Sequence, residues 1–253
     1  LEKATLRRDL LRVKAAVLYN RGEWAEAREA LTALRGAALA ADDPKVAARA
    51  GLELGTALRR LGEGELAEAL VQDLLEHARA EGDRVTIIGA LNRLATFAWD
   101  SGDLNACERL AGQGLLSATG PELAPARAEI LVSQGAVFAS RGELSSATTA
   151  MGEADTLLRG LRNKVSGAVV AGNLAELFTW QGKFAPAIEK ATEGISQASD
   201  VLYRGAESFL HRVRGVAWLD LGDLAKAADD LTRSLELAEA TENAADLGPV
   251  RYF

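Results

Sequence analysis

Residues 135–147 read GAVFASRGELSSA. In that stretch Gly135 is small, Phe138 is bulky three positions later, Gly142 follows, Leu144 is large and apolar, and Ala147 is small again. The phrase returns as GVAWLDLGDLAKA from Gly215 to Ala227. Looser copies fill the rest of the chain: RGEWAEA from Arg21, SGDLNAC from Ser101 and QGKFAPA from Gln181. The glycines Gly22, Gly62, Gly102, Gly142, Gly182 and Gly222 therefore recur at one interval of 40 residues, 62 − 22 and so on. Gly62 stands in a deviant copy, LGEGELA, where Gly64 takes the large apolar place. A constant period of this size marks a stacked repeat, in which each unit buries its apolar face against its neighbours.

The register predicts a pair of helices in each repeat. Seven residues before each glycine stands Ala15, Gly55, Ala95, Gly135, Ala175 or Gly215, and five after it Ala27, Ala67, Cys107, Ala147, Ala187 or Ala227. Small side chains at fixed places on successive helices let the two helices approach closely. The glycine ends the first helix in a left-handed turn that only a residue without Cβ adopts cheaply. The acidic residue after it (Glu23, Asp103, Glu143, Asp223) suits the N-terminus of the second helix. Breakers separate the repeats at Asp43-Pro44, Gly82-Asp83, Gly120-Pro121 and Thr241-Glu242-Asn243, and Pro186 falls in a first helical turn. The expected architecture is all-α: twelve helices as six antiparallel hairpins, with a stub of a thirteenth. The repeats fall near 3–42, 43–82, 83–122, 123–162, 163–202 and 203–242, with a partial seventh over 243–253, within a single domain of 1–253.

Composition agrees. Apolar residues make up 48% of the 253 residues but aromatics only 5%, which favours Ala- and Leu-rich helices over sheets. A net charge of −7 argues against direct nucleic-acid binding, which requires clustered Lys and Arg. No apolar run is long enough for a membrane span. A single cysteine, Cys107, fits a reducing, cytoplasmic setting. The start at Leu1 and the stop within a repeat suggest a piece of a longer protein.

The small–aromatic–glycine–aromatic–alanine pattern of Gly135–Ala147 and Gly215–Ala227 resembles the tetratricopeptide repeat. That resemblance implies a right-handed α-solenoid, a superhelix whose first helices line a concave face. The departure is length, since the common repeat has about 34 residues. Forty-residue versions resemble helical-repeat segments of bacterial signalling ATPases and transcription activators. On the first helices one stripe steps by three and four residues. It comprises Arg49, Glu53, Thr56 and Arg60; Asn92, Arg93, Thr96 and Asp100; Glu129, Ser133 and Ser140; Asn173, Glu176 and Trp180; and Phe209, Arg212 and Asp220.

As a peptide groove, the stripe offers the Asn92 and Asn173 amides to a ligand backbone. Arg49, Arg60, Arg93 and Arg212 can grip carboxylates, and Trp180 can anchor. As a plain solvated face it is polar because water covers it. Glu53, Glu129 and Glu176 interrupt any all-basic clamp for acidic chain ends. In repeat six His211 and Arg214 replace apolar residues. They make either a local polar site or a hairpin that meets a different neighbour or solvent, and the second reading is expected.

Catalysis is not expected. His77 and His211 lie on different hairpins, and no HExxH, CxxC, G-x-S-x-G or Walker motif occurs. Cys107 takes an alanine place and reads as a buried thiol, and Asp229-Asp230 reads as a pair on an exposed helix face. The chain is expected to be a protein–protein interaction module without cofactor or metal, holding a protein or peptide partner. Two rivals stand beside it: a regulatory segment that senses an effector and touches neighbouring domains of a longer chain, and a self-assembling homo-oligomeric scaffold.

Overall fold

The computed structural model describes residues 2–240; the loop at Thr241-Glu242-Asn243, the partial seventh repeat and the thirteenth helix lie outside the described residues. Twelve α-helices follow one another, with no strand among the described residues. They are α1 Glu2–Arg21, α2 Trp24–Ala40, α3 Pro44–Arg60, α4 Gly64–Glu81, α5 Arg84–Asp100, α6 Leu104–Ser117, α7 Ala124–Ser140, α8 Leu144–Leu161, α9 Lys164–Trp180, α10 Phe184–Asp200, α11 Arg204–Asp220 and α12 Leu224–Glu239. A 3-10 turn, Pro121–Leu123, precedes α7. No described helix is long and apolar enough to cross a membrane.

The six periodic glycines sit where expected, between the helices of each hairpin, and Gly142 has φ 78° with nothing near its missing Cβ. That turn is kept by backbone conformation alone, which L side chains adopt at a cost. A second left-handed turn recurs between hairpins, at Asp42, Gly82, Arg162 and Leu202. Three of those four are not glycine, so composition gave no hint of it. Beyond five of the turns Asp43, Asp83, Asp103, Asn163 and Asp223 cap the next helix, each side chain accepting a backbone N–H of the first turn. Glu23 and Glu143 also stand at a helix N-terminus, where their charge suits the helix dipole, but make no side-chain cap.

The chain packs as two compact units, Leu1–Tyr19 with Glu23–Ser133, and Asn20–Gly22 with Gln134–Phe253. In the first, α2, α3, α4, α5 and α6 each pack against the next, and α3 also touches α5; in the second, α8 to α12 do the same, and α9 touches α11. Sequence neighbours therefore pack together within each unit, and the first helices α3 and α5, and α9 and α11, also touch across hairpins.

All twelve small register positions are buried. Their sizes are matched across the hairpin. A Cβ on Gly55 would lie 2.6 Å from Val71 Cγ2, one on Gly135 2.8 Å from Met151 Cγ, and one on Gly215 2.9 Å from Leu231 Cγ. At the same two places repeats three and five pair Ala95 with Ala111 and Ala175 with Ala191, all fully buried, and repeat one sets Ala15 with Leu31. In repeats two to six glycine thus stands where the facing residue is large and alanine where it is small, as close packing favours; the first repeat, with Ala15 and Leu31, departs from that matching. The position two after the turn glycine is less uniform than expected: Trp24 is buried against Tyr19, whereas Leu224 is 66% exposed.

Candidate functional site

The first-helix stripe divides between the two units. In the first, α3 carries Arg49 and Glu53 as an i,i+4 ion pair at 3.1 Å, and Arg60 exposed at its C-terminus. On α5, Asn92 is buried rather than presented: Ser133 Oγ of α7 donates to its Oδ1 at 2.8 Å. Thr96 Oγ1 donates to the Asn92 carbonyl at 3.0 Å. Asn92 and Ser133, both candidate ligand contacts, are therefore spent on each other. Arg93 and Glu129 are half-buried on α5 and α7.

Arg59 has a role that the stripe overlooked. It reaches from α3 to α5, donating to the Phe97 carbonyl at 3.0 Å, lying 5.1 Å from the Phe97 ring centroid and 3.8 Å from Asp100 Oδ2. Desolvation holds the Asp100 carboxyl above its ordinary pKa, against the opposing pull of Arg60 and Arg59. The signal available in sequence was the spacing: Asp100 follows Arg59 by one repeat plus one residue.

In the second unit Arg212 of α11 donates to Glu176 of α9 at 3.1 Å, and its guanidinium lies 5.0 Å from the Phe209 ring centroid. On α9 the Asn173 side chain is half-buried and makes no hydrogen bond to the described residues, and Trp180 is 54% exposed. These two are seven residues apart, two helical turns or about 10 Å along one face. The stripe thus sorts into residues already paired and residues without a partner among the described residues; in the second unit these include Asn173 and Trp180 on α9 and the exposed Asp220 at the end of α11.

Solved structures share this arrangement of hairpins. The chain is similar to BtubC (BKLC) from P. vanneervenii, at 17% identity over 91% of each chain with a TM-score of 0.62. It is similar to the apo form of RapI at 11% identity, over 98% of this chain and 71% of that one, TM-score 0.57. A putative kinesin light chain with nearly identical TPR-like repeats, from Podosopora anserina, aligns at 14% identity over 77% of this chain and 96% of its own, TM-score 0.53. The fold is the tetratricopeptide-repeat-like stack of helix hairpins that these structures share. At these identities the likeness is one of fold. No family model matches the chain, and no curated protein matches its sequence.

Within that tetratricopeptide fold the last described hairpin departs from its siblings and corrects two expectations. Asp230 does not lie on an exposed face; it is 6% exposed. His211 and Arg214 do not mark a hairpin turned to solvent. His211 Nδ1 lies 2.8 Å from Asp230 Oδ1, and Arg214 grips both oxygens of the same carboxylate, Nε to Oδ2 and Nη2 to Oδ1, each at 2.8 Å. With the carboxylate ionised, Nδ1 must carry the hydrogen. Beside them Ser208 and Ser234 exchange hydroxyl-to-carbonyl bonds at 2.8 Å, both buried. Desolvation pushes the Asp230 pKa up, but bonds from Arg214 and His211 outweigh it and hold it below the ordinary value. The Asp230 carboxylate is held on both oxygens, so the cluster ties α11 to α12. Sequence reasoning missed it because Asp230 lies on the opposite helix, 19 residues from His211.

Cys107 is fully buried, as its alanine place implied, and burial, together with Asp100, Asp103 and Glu108, pushes its thiol up to about 11. A thiol so far from ionisation at neutral pH is a poor nucleophile.

Proposed function

We propose that this chain is a protein–protein interaction module that holds an extended peptide segment or a partner helix on its first-helix face. The observation that carries the proposal is the pair on α9: an amide with no hydrogen-bond partner among the described residues and an indole 54% exposed, on one face two turns apart. An unpaired amide offers one acceptor and two donors, the complement of a peptide backbone. An exposed Trp is the residue type that most often dominates binding once a partner covers it. Next to them, Arg212 and Glu176 supply a fixed charge pair for orientation. Such a site positions its partner and performs no chemistry on it.

The test is affinity capture from native lysate, followed by mass spectrometry, with the unaltered chain and with Asn173→Ala/Trp180→Ala side by side. The expected result is a partner retained by the first and lost by the second, with unchanged far-UV circular dichroism. Equal retention by both would place binding elsewhere.

A further inference from the structure

Cations in this chain repeatedly settle between an aromatic ring and a carboxylate. Arg59 lies over the Phe97 ring and 3.8 Å from Asp100 Oδ2, and Arg212 lies over Phe209 and 3.1 Å from Glu176 Oε1. Lys226 does the same with an indole: its Nζ is 4.2 Å from the Trp218 ring centroid and 2.7 Å from Asp223 Oδ2. The negative face of the ring and the carboxylate attract one cation together.

At the ends of α9 and α11 the same two groups stand without the cation. Trp180 closes α9, Asp220 closes α11, and the two helices pack against each other. The indole is 54% exposed, and the Asp220 carboxylate is exposed with neither ion pair nor hydrogen bond to the described residues. Three repeats earlier the same register holds Arg60 and Asp100. There Arg60 and Arg59 both attract the Asp100 carboxylate, so the ends of neighbouring first helices lie within reach of each other. In the second unit Thr179 takes the place of Arg59 and donates its hydroxyl to the Ala175 carbonyl at 3.0 Å, while Trp180 takes the place of Arg60. Both internal cations are gone and the carboxylate remains. Other cations of these hairpins are engaged elsewhere: Arg212 with Glu176, Lys183 Nζ with Gln181 Oε1 at 2.7 Å, and Lys226 with Asp223.

We infer that Trp180 and Asp220 form a receptor for one arginine side chain of the partner, its guanidinium stacked on the indole and forked onto the carboxylate. A planar guanidinium serves both groups at once, offering a flat face to the ring and paired N–H groups to the two oxygens. A basic segment also matches the net charge of −7, which draws cationic partners toward the chain. Asn173, two turns back along α9, is left to hold the partner's backbone. The assignment rests on the reading of the first-helix face as the partner surface, and it names the side chain which that surface selects.

The probe is the acetylated, amidated peptide AARAA, with a twin carrying citrulline, the uncharged isostere, in place of arginine. Each is titrated into the whole ¹⁵N-labelled chain and followed at the Trp180 indole N–H resonance, which Trp180→Phe identifies by its loss. A saturable shift is expected with arginine, about tenfold weaker with citrulline, because both the ring and the carboxylate lose their cation. Asp220→Asn should weaken the arginine peptide about threefold, and so should salt at about 1 M, where screening acts within about 3 Å. Asp220 is exposed and unpaired among the described residues, so Asp220→Asn keeps the fold, which circular dichroism checks. Equal binding of the two peptides, undiminished binding by Asp220→Asn, or no shift with either peptide overturns the inference. Partner capture lost with Asn173→Ala/Trp180→Ala but kept by Asp220→Asn would leave the partner surface standing and remove the arginine receptor alone. Capture untouched by Asn173→Ala/Trp180→Ala would remove the surface itself.

Discussion

Replacing Asp230 with leucine, the residue at its register in repeats two and three (Leu70 and Leu110), measures what the buried carboxylate does for the last hairpin. Three hydrogen bonds of 2.8 Å converge on it, from His211 and twice from Arg214. Removing one partner of a buried ion pair typically costs about 3–5 kcal/mol, because the other charge is left without an acceptor. Arg214 keeps a bond to Thr192 and some solvent contact, its side chain being 20% exposed, so the lower end, about 3 kcal/mol, applies. In a chain of this size that lowers the melting midpoint by roughly 6–12 °C.

The loss should depend on pH. The folded pKa of Asp230 lies below its ordinary 3.8, so native protein resists protonation more than unfolded chain does. The stabilisation is present above the ordinary value and vanishes as pH falls through the lower folded value, and there the wild type and the variant should converge. Circular dichroism melts at neutral and at acid pH measure both quantities. Substituting all three members, His211→Leu, Arg214→Leu and Asp230→Leu, recreates the Leu91, Leu94 and Leu110 of repeat three and should recover the loss. Well-packed apolar replacements of buried ion pairs are often neutral or stabilising by about 1–4 kcal/mol. An unchanged midpoint for Asp230→Leu, or a triple variant as unstable as the single one, would refute the reasoning.

Other predictions concern the rest of the fold. Asn92→Ala should cost about 1–2 kcal/mol in urea denaturation, since it strands the Ser133 hydroxyl, while leaving partner capture intact. Gly55→Ala should destabilise more than Gly135→Ala, within a range of about 1–3 kcal/mol, because β-branched Val71 yields less readily than Met151; equal midpoints would contradict the size matching. Gly142→Val should cost about 1 kcal/mol or more by backbone strain, and Gly142→Asn much less, as melting midpoints would show. Cys107 should resist a thiol reagent at mildly alkaline pH and react fully in denaturant; rapid labelling of the native chain would contradict its burial.

The hairpins were legible because their determinants are local. A turn glycine, a small residue seven before it and another five after it act within one repeat, and each repeat carries its own copy. The inter-hairpin turn was less legible, since Arg162 and Leu202 adopt a left-handed conformation that their residue types do not favour, and only Asp42 and Gly82 are of types that visit it readily. In the interaction face, position along the helix was readable and availability was not. Asn92 and Asn173 are the same residue type one place apart in register, yet Ser133 occupies the first and nothing described occupies the second.

Sequence alone determined the fold class, the repeat length and the buried register, because periodic close packing writes itself into residue size at fixed intervals. Tertiary structure alone decided which polar groups pair: Arg59 with Asp100, Arg212 with Glu176, and Asp230 with His211 and Arg214. Side chains meet across helices there, through geometry that no single stretch of chain specifies.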